Sequence, residues 1–224
     1  MTTPGLDRLE EQLGTLSPGS TKHDMEPGFR VMADWIQGLD GHDRAAVLAE
    51  LPAWLGDDHS WHSRAVMEIA LRLSDRVLLE AAVREARRKG VRDLDEVAEY
   101  PPWLLYHLNL LSTISRWPGD IDGDVRRYLQ DLRHESSGAA YSRRLLGIRA
   151  WFTECLVDPD EERMRCLNEG VSTLREWRNP KLVRSGLSLL HAYFSSNPKA
   201  VDGLRELLTA AEFETAFPEA SSNS

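Results

Sequence analysis

Three prolines recur at nearly constant spacing along this chain. Pro118, Pro159 and Pro198 lie 41 and 39 residues apart, each in a short polar turn between two segments with apolar residues at helical spacing. A repeat of about 40 residues is typical of stacked helix pairs, in which each pair buries its apolar face against its neighbours. No segment shows the alternation of a β-strand bounded by turn residues. The sequence therefore predicts an all-α protein, a right-handed α-solenoid of about five stacked antiparallel helix pairs.

The same pattern predicts where the helices and segments lie. The first helices of the later pairs should begin near residues 60, 101, 139 and 180. Residues 1–20 are expected to form an amphipathic helix and a linker, residues 21–217 a single solenoid domain and residues 218–224 a disordered tail. The apolar face of the N-terminal helix has two interpretations: it caps the first repeat, which we favour, or it docks on a partner.

Composition limits the classes of protein that this chain can belong to. The net charge of −9 over 224 residues disfavours a broad surface for nucleic acid and favours basic partners. The N-terminus lacks a signal-peptide pattern, and no apolar run approaches the roughly 20 residues that a membrane span needs. We therefore expect a cytoplasmic protein, a monomer or weak oligomer, in which Cys155 and Cys166 approach each other as free thiols.

Two segments resemble the turn and second helix of HEAT repeats. They are DGDVRRYLQDL at 122–132 and DPDEERMRCLNEGVSTL at 158–174, where Asp and Pro open a helix carrying a Val-Arg or similar pair. The resemblance spans residues 27–213 and implies the HEAT/armadillo-like fold alone. The chain departs from a regular array in lacking a proline before the helix at 75–89 and in the insert DLDEVAEYPP at 93–102.

Cationic residues collect at the ends of the second helices. The candidate binding residues are Arg84, Arg87, Arg88 and Arg92 at one such end, and Trp177 and Arg178 at another. Arginines at helix C-termini also complement the helix dipole, and this structural explanation suffices for most of them.

The tryptophans also allow two interpretations, packing in the core or exposure at an interface. Trp35, Trp61, Trp103, Trp117 and Trp151 are expected in the core, whereas Trp54 and Trp177 lie near helix ends, where an exposed indole would anchor an interface.

Chemical motifs are sparse. His59 and His62, beside Asp57 and Asp58, have a spacing that can present metal ligands on one helix face, but the acidic pair also suits a helix start. The chain has no GxSxG, P-loop, GxGxxG or CxxC motif. The sequence therefore predicts a protein without catalytic residues or cofactor, and a metal-dependent enzyme using His59 and His62 is a minor alternative.

The function that these features favour is binding of a protein partner on a solenoid surface, as an adaptor, an inhibitor or an immunity-type protein. The alternative is a nucleic-acid binder, because some alkylation-repair glycosylases resemble this architecture and read DNA on a basic concave face. The net charge disfavours that alternative, as does the absence of a Trp-x-x-x-Asp pair within one helix.

Overall fold

The computed structural model describes residues 4–15, 22–56, 60–91, 102–121, 123–138, 140–158 and 160–218, which form helices joined by short connections. These ranges contain no strand. The α-helices are α1 Pro4–Gly14, α2 Lys22–Gln37, α3 Gly41–Glu50, α4 Ser60–Leu73, α5 Arg76–Lys89, α6 Pro102–Ile114, α7 Gly123–Arg133, α8 Tyr141–Val157, α9 Asp160–Arg175, α10 Pro180–Phe194, α11 Pro198–Leu207 and α12 Ala210–Ala216. Two 3₁₀ helices, η1 Leu51–Leu55 and η2 His134–Ser137, follow α3 and α7. The all-α prediction is confirmed. No helix within these ranges is long and apolar enough to cross a bilayer.

The predicted helix starts agree closely with the observed ones. The helices expected near 60, 101, 139 and 180 begin at Ser60, Pro102, Tyr141 and Pro180. Side-chain caps fix several starts locally, because each accepts a hydrogen bond from a backbone N–H that lacks a partner in the first turn. Asp75 caps α5 by accepting from the N–H of Leu78 at 3.0 Å. Asn179 and Asn197 do the same for α10 and α11.

The chain divides into two compact units, one built from α1 to α6 and the other from α7 to α12. In both units a helix contacts the next helix in the chain and also the next but one. In the first unit α4 contacts α2, α5 and α6; in the second α8 contacts α7, α9 and α10, and α9 contacts α11. The expectation that residues 21–217 form one continuous domain stays a prediction.

In the first unit, the N-terminal helix packs on its own chain. Leu6, Leu9 and Leu13 are buried, and α1 contacts α2 and α3. Gly5 permits this approach, because a Cβ at that position would collide with a Cγ of Val47 in α3. The packing agrees with the interpretation of α1 as a cap.

In the second unit, α8 is the central helix and carries buried charge as well as apolar residues. The carboxylate of Glu154 is 4% exposed and accepts a hydrogen bond from Arg133 of α7 at 2.6 Å. Arg126, also in α7, donates to Asp158 at the end of α8 at 2.6 Å. These two bonds fasten α7 to α8, and each compensates a carboxylate that would be costly to bury alone.

Of the five tryptophans expected in the core, Trp151 is buried, Trp35, Trp103 and Trp117 are half-buried, and Trp61 is exposed. Trp61 is 38% exposed, so its assignment to the core is wrong; it stands in the first turn of α4, with the Arg64 guanidinium 5.8 Å from its ring. Trp54 and Trp177 are only 8% and 7% exposed, so an exposed indole at either position is also wrong. Both rings pack into the cores of their own units instead.

The cap on α5 gives a first test of how the helices are fixed. We expect Asp75→Ala to lower the free energy of unfolding by about 1 kcal/mol, because the N–H of Leu78 loses its acceptor. Asp120→Ala is the control, since this exposed aspartate forms no side-chain hydrogen bond within the described ranges. Urea unfolding followed by circular dichroism measures both variants, and equal midpoints would contradict the capping role.

Candidate interaction surface

The residues around Trp177 and Arg178 line two cavities in the second unit. Trp177 lies in the connection between α9 and α10, and its indole N–H donates a hydrogen bond to the carbonyl oxygen of Ser136 at 3.0 Å. Gly186 of α10 leaves room for the ring, because a Cβ there would lie 3.2 Å from Cζ3 of Trp177. The ring therefore joins the core and fixes the backbone that carries Arg178 to the surface.

Ser136, whose carbonyl oxygen accepts this hydrogen bond, is held in place where the backbone of η2 lies close to that of α8. Ser136 belongs to η2, which contacts α8 where that helix carries Gly147. A Cβ at Gly147 would collide with the backbone nitrogen of Ser136 and lie 2.8 Å from its Cα. The hydroxyl of Ser136 also donates to the carbonyl oxygen of Arg133 at 2.7 Å. Only glycine at 147 allows η2 to lie where Trp177 can reach it.

Two cavities meet at this connection. The first has a volume of about 290 Å³ and the second about 380 Å³, and both are lined by Trp177 and Arg178. The other residues lining the first are Ser136, Ser137, Arg144, Thr173 and Glu176; those lining the second are Pro180, Val183, Arg184, Leu187, Ala211, Glu212 and Thr215. We call these two cavities and their lining the Trp177–Arg178 surface.

The Trp177–Arg178 surface carries cationic groups that the fold does not use. Arg178 and Arg184 are exposed, and neither side chain forms a hydrogen bond or ion pair with any residue in the described ranges. Arg144 differs, because its Nε donates to the carbonyl oxygen of Gly138 at 2.5 Å. Guanidinium groups bind carboxylates and phosphates through paired hydrogen bonds. The surface can therefore recognise an anionic group.

Two acidic residues line this surface, Glu176 in the first cavity and Glu212 in the second, and Glu212 is already neutralised. Glu212 accepts two hydrogen bonds from Arg175, at 3.0 and 2.7 Å, and its carboxylate also accepts from the N–H of Thr209 as part of the capping box of α12. These bonds, the one from Arg175 foremost, lower the pKa of Glu212 to about 2. Its charge is therefore matched within the fold and does not cancel that of Arg184.

The other predicted cationic residues lie on α5. Arg84, Arg87 and Arg88 are exposed, and Arg88 donates two hydrogen bonds of 2.7 Å to Glu85. The bonds from Arg88 lower the pKa of the Glu85 carboxyl. Arg92 lies outside the described residues. The α5 arginines and Trp177–Arg178 belong to different units, so the structure does not bring the predicted set together within either one.

One of the two histidines considered as metal ligands, His62, contacts another part of the fold. Nε2 of His62 lies 2.9 Å from the carboxylate of Glu10 in α1, and its ring is 5.0 Å from that of Trp54. His59 lies outside the described residues. Within the described ranges, no three histidine, cysteine, aspartate or glutamate side chains are grouped to hold a metal ion. His62 therefore serves the contact between α1 and α4.

The sequence analysis named Trp177 and Arg178 as candidates but did not name Ser136, Arg144 and Arg184, which line the same two cavities. These residues come from η2, α8 and α10. No motif or spacing relates them, because only the packing of three separate elements brings them to one place. The one local signal was the Asn179-Pro180 helix start directly after Trp177 and Arg178.

The close approach at Gly147 can be tested by adding one methyl group. We expect Gly147→Ala to destabilise the protein by about 1–3 kcal/mol, because η2 must move away from α8. Gly41→Ala is the matched control, since a Cβ in that first turn of α3 would have no atom within 4 Å. Thermal unfolding compares the two, and an unchanged midpoint for the position 147 variant would show that η2 does not depend on this contact.

The ion pair of Glu212 predicts a defined dependence of stability on pH. Because the folded-state pKa of about 2 lies below the ordinary value of 4.5, the charged carboxylate stabilises the fold above pH 4.5, and this contribution disappears as pH falls toward 2. We expect Glu212→Gln to be less stable than the parent at neutral pH. The difference in free energy of unfolding between the two should shrink as the pH falls from 4.5 toward 2. Urea midpoints at several pH values measure it, and a constant gap would contradict the assignment.

No protein-family model, curated protein or solved structure matches this chain. The chemistry of the Trp177–Arg178 surface rests on two features of the chain itself: a buried tryptophan that fixes the backbone, and exposed guanidinium groups beside two cavities.

Proposed function

We propose that this chain is a non-catalytic protein-interaction module, a HEAT-like α-solenoid that binds a protein partner at the Trp177–Arg178 surface. The observation that carries the proposal is the meeting of two cavities at a rigid position, where Arg178 and Arg184 have no partner within the described ranges. An adaptor, an inhibitor or an immunity-type protein would each act through such a surface.

The pattern of helix contacts supports the solenoid part of the proposal. Stacked helix pairs place each helix against the next in the chain and against the equivalent helix of the following pair. Such contacts occur within each unit: α4 touches both α5 and α6, and α8 touches both α9 and α10. A stack of this kind offers a long surface to a partner without requiring catalytic groups.

Charge and shape indicate what the partner presents. Arg178 and Arg184 favour carboxylate groups, and the second cavity adds the apolar side chains of Val183 and Leu187. A segment with acidic residues next to one apolar anchor would fit both. The net charge of −9 favours a partner that is basic overall. We therefore expect a basic protein that contacts this surface through a local acidic segment or its C-terminal carboxylate.

Nucleic acid is the second candidate ligand. Arg84 and Arg87 are exposed on the last turns of α5, and phosphate oxygens are good acceptors for guanidinium groups. The net charge opposes this candidate, because affinity for nucleic acid depends mainly on neutralising phosphates. A binding constant that falls steeply with salt and depends on Arg84 and Arg87 would favour it.

A capture experiment with matched charge variants tests the proposal. The full chain, Arg178→Ala/Arg184→Ala and the control Arg165→Ala are used to capture proteins from extract of the native cells, with and without nuclease. Arg165 is an exposed arginine of α9 that does not line either cavity. The partner is then purified and its affinity for each variant is measured by calorimetry.

We expect a discrete protein that resists nuclease, binds the parent and the Arg165→Ala variant alike, and binds the double variant at least about tenfold more weakly. Equal affinity for all three would overturn the assignment of the surface. Retention of nucleic acid alone, lost with nuclease, would overturn the protein-binding function and favour the second candidate.

A further inference from the structure

Two cysteines lie side by side in the core of the second unit. Cys155 is in the last turns of α8 and Cys166 is in α9, and their Sγ atoms are 2.6 Å apart. Cys155 is fully buried and Cys166 is 6% exposed. The Cys166 thiol also lies 3.8 Å from the carbonyl oxygen of Trp151. The two sulfur atoms are thus adjacent and shielded from solvent.

Contacts other than those of the sulfurs hold the two helices in this arrangement. Arg163 of α9 donates through Nε to the carbonyl oxygen of Cys155 at 2.9 Å, and through Nη2 to that of Asp158 at 3.0 Å. Phe152, Leu167 and Val171 from the two helices are buried in one apolar cluster around the thiols. The positions of Cys155 and Cys166 are therefore set before any bond forms between them.

We propose that Cys155 and Cys166 are a redox modification site, and that they form an intramolecular disulfide joining α8 to α9 when the protein meets a low-molecular-weight disulfide such as oxidised glutathione. A disulfide requires two cysteines already placed within a narrow range of separation and direction. The fold itself places the two sulfur atoms next to each other and so meets the first requirement.

The reaction proceeds by two thiol–disulfide exchanges. Cys166, the more exposed of the two, attacks the glutathione disulfide as a thiolate, forms a mixed disulfide and releases one glutathione thiol. Cys155 then gives up its proton and attacks the Cys166 sulfur, which releases the second glutathione thiol. The two cysteines lose two electrons and two protons in total, and one glutathione disulfide becomes two thiols.

Burial makes this exchange slow in the intact fold. Desolvation raises the pKa of the Cys155 thiol, and the neighbouring Cys166 adds to the effect. The Cys155 thiolate, which attacks in the second exchange, is therefore scarce until the ends of α8 and α9 open locally. The bond, once formed, closes the short loop from 155 to 166 and reduces the freedom of the unfolded chain.

The experiment follows oxidation of the full-length protein with oxidised glutathione, with a low concentration of urea to admit the reagent. Thiols are counted after unfolding, the intact mass is measured, and the crosslinked peptides are mapped. We expect the parent to lose both thiols together, to carry no glutathione, and to yield a Cys155–Cys166 linked peptide. The thermal midpoint should rise by about 5–15 °C and return on reduction with dithiothreitol.

Single variants separate the two roles. Cys155→Ser should stop at a glutathione adduct on Cys166, because it has no second thiol to displace the glutathione. Cys166→Ser should react with oxidised glutathione more slowly than the parent and more slowly than Cys155→Ser. Cys155→Ser/Cys166→Ser is the control and should show no shift of the midpoint. Three results for the parent would overturn the proposal: both thiols persist under the most oxidising conditions, a glutathione adduct remains, or an intermolecular dimer forms. These results do not depend on whether any variant folds.

Discussion

The close approach of η2 to α8 at Gly147 is the constraint on which the second unit depends. Without a side chain at that position, the backbone of Ser136 can lie against the central helix. The carbonyl oxygen of Ser136 then accepts the indole N–H of Trp177 from 41 residues further along the chain. One glycine thus links η2, α8 and the start of α10, and the two cavities lie beside this junction. The candidate surface is a by-product of how these backbones pack.

The arginines of this chain fall into two groups. One group is used by the fold: Arg126 and Arg133 compensate buried carboxylates of α8, and Arg175 holds Glu212. The other includes Arg178 and Arg184, which protrude beside the cavities. Net charge and arginine count do not distinguish the groups, because the difference lies in whether a carboxylate is placed within reach. This separation is what gives the candidate surface its cationic character.

Local signals in the sequence were enough to place the starts of several helices. Asp75, Asn179 and Asn197 cap their own helices through bonds to residues two or three positions ahead, so the helix starts can be predicted without knowledge of the fold. The candidate surface could be predicted only in part. The burial of Trp177 depends on Ser136 and Gly186, and the contribution of Arg184 depends on α10 lying beside the α9–α10 connection. Contacts between residues so far apart in the chain produce no periodic pattern in the sequence.

The neighbour-to-neighbour contacts of the helices also bear on how the chain reaches this structure. Within each unit, a helix meets the next one and the next but one, so most tertiary contacts join residues that are close in sequence. Closing short loops costs little chain entropy, so contacts of this kind favour fast folding. Each helix pair that forms therefore offers an apolar face on which the following helix can assemble. Assembly of each unit can therefore proceed helix by helix.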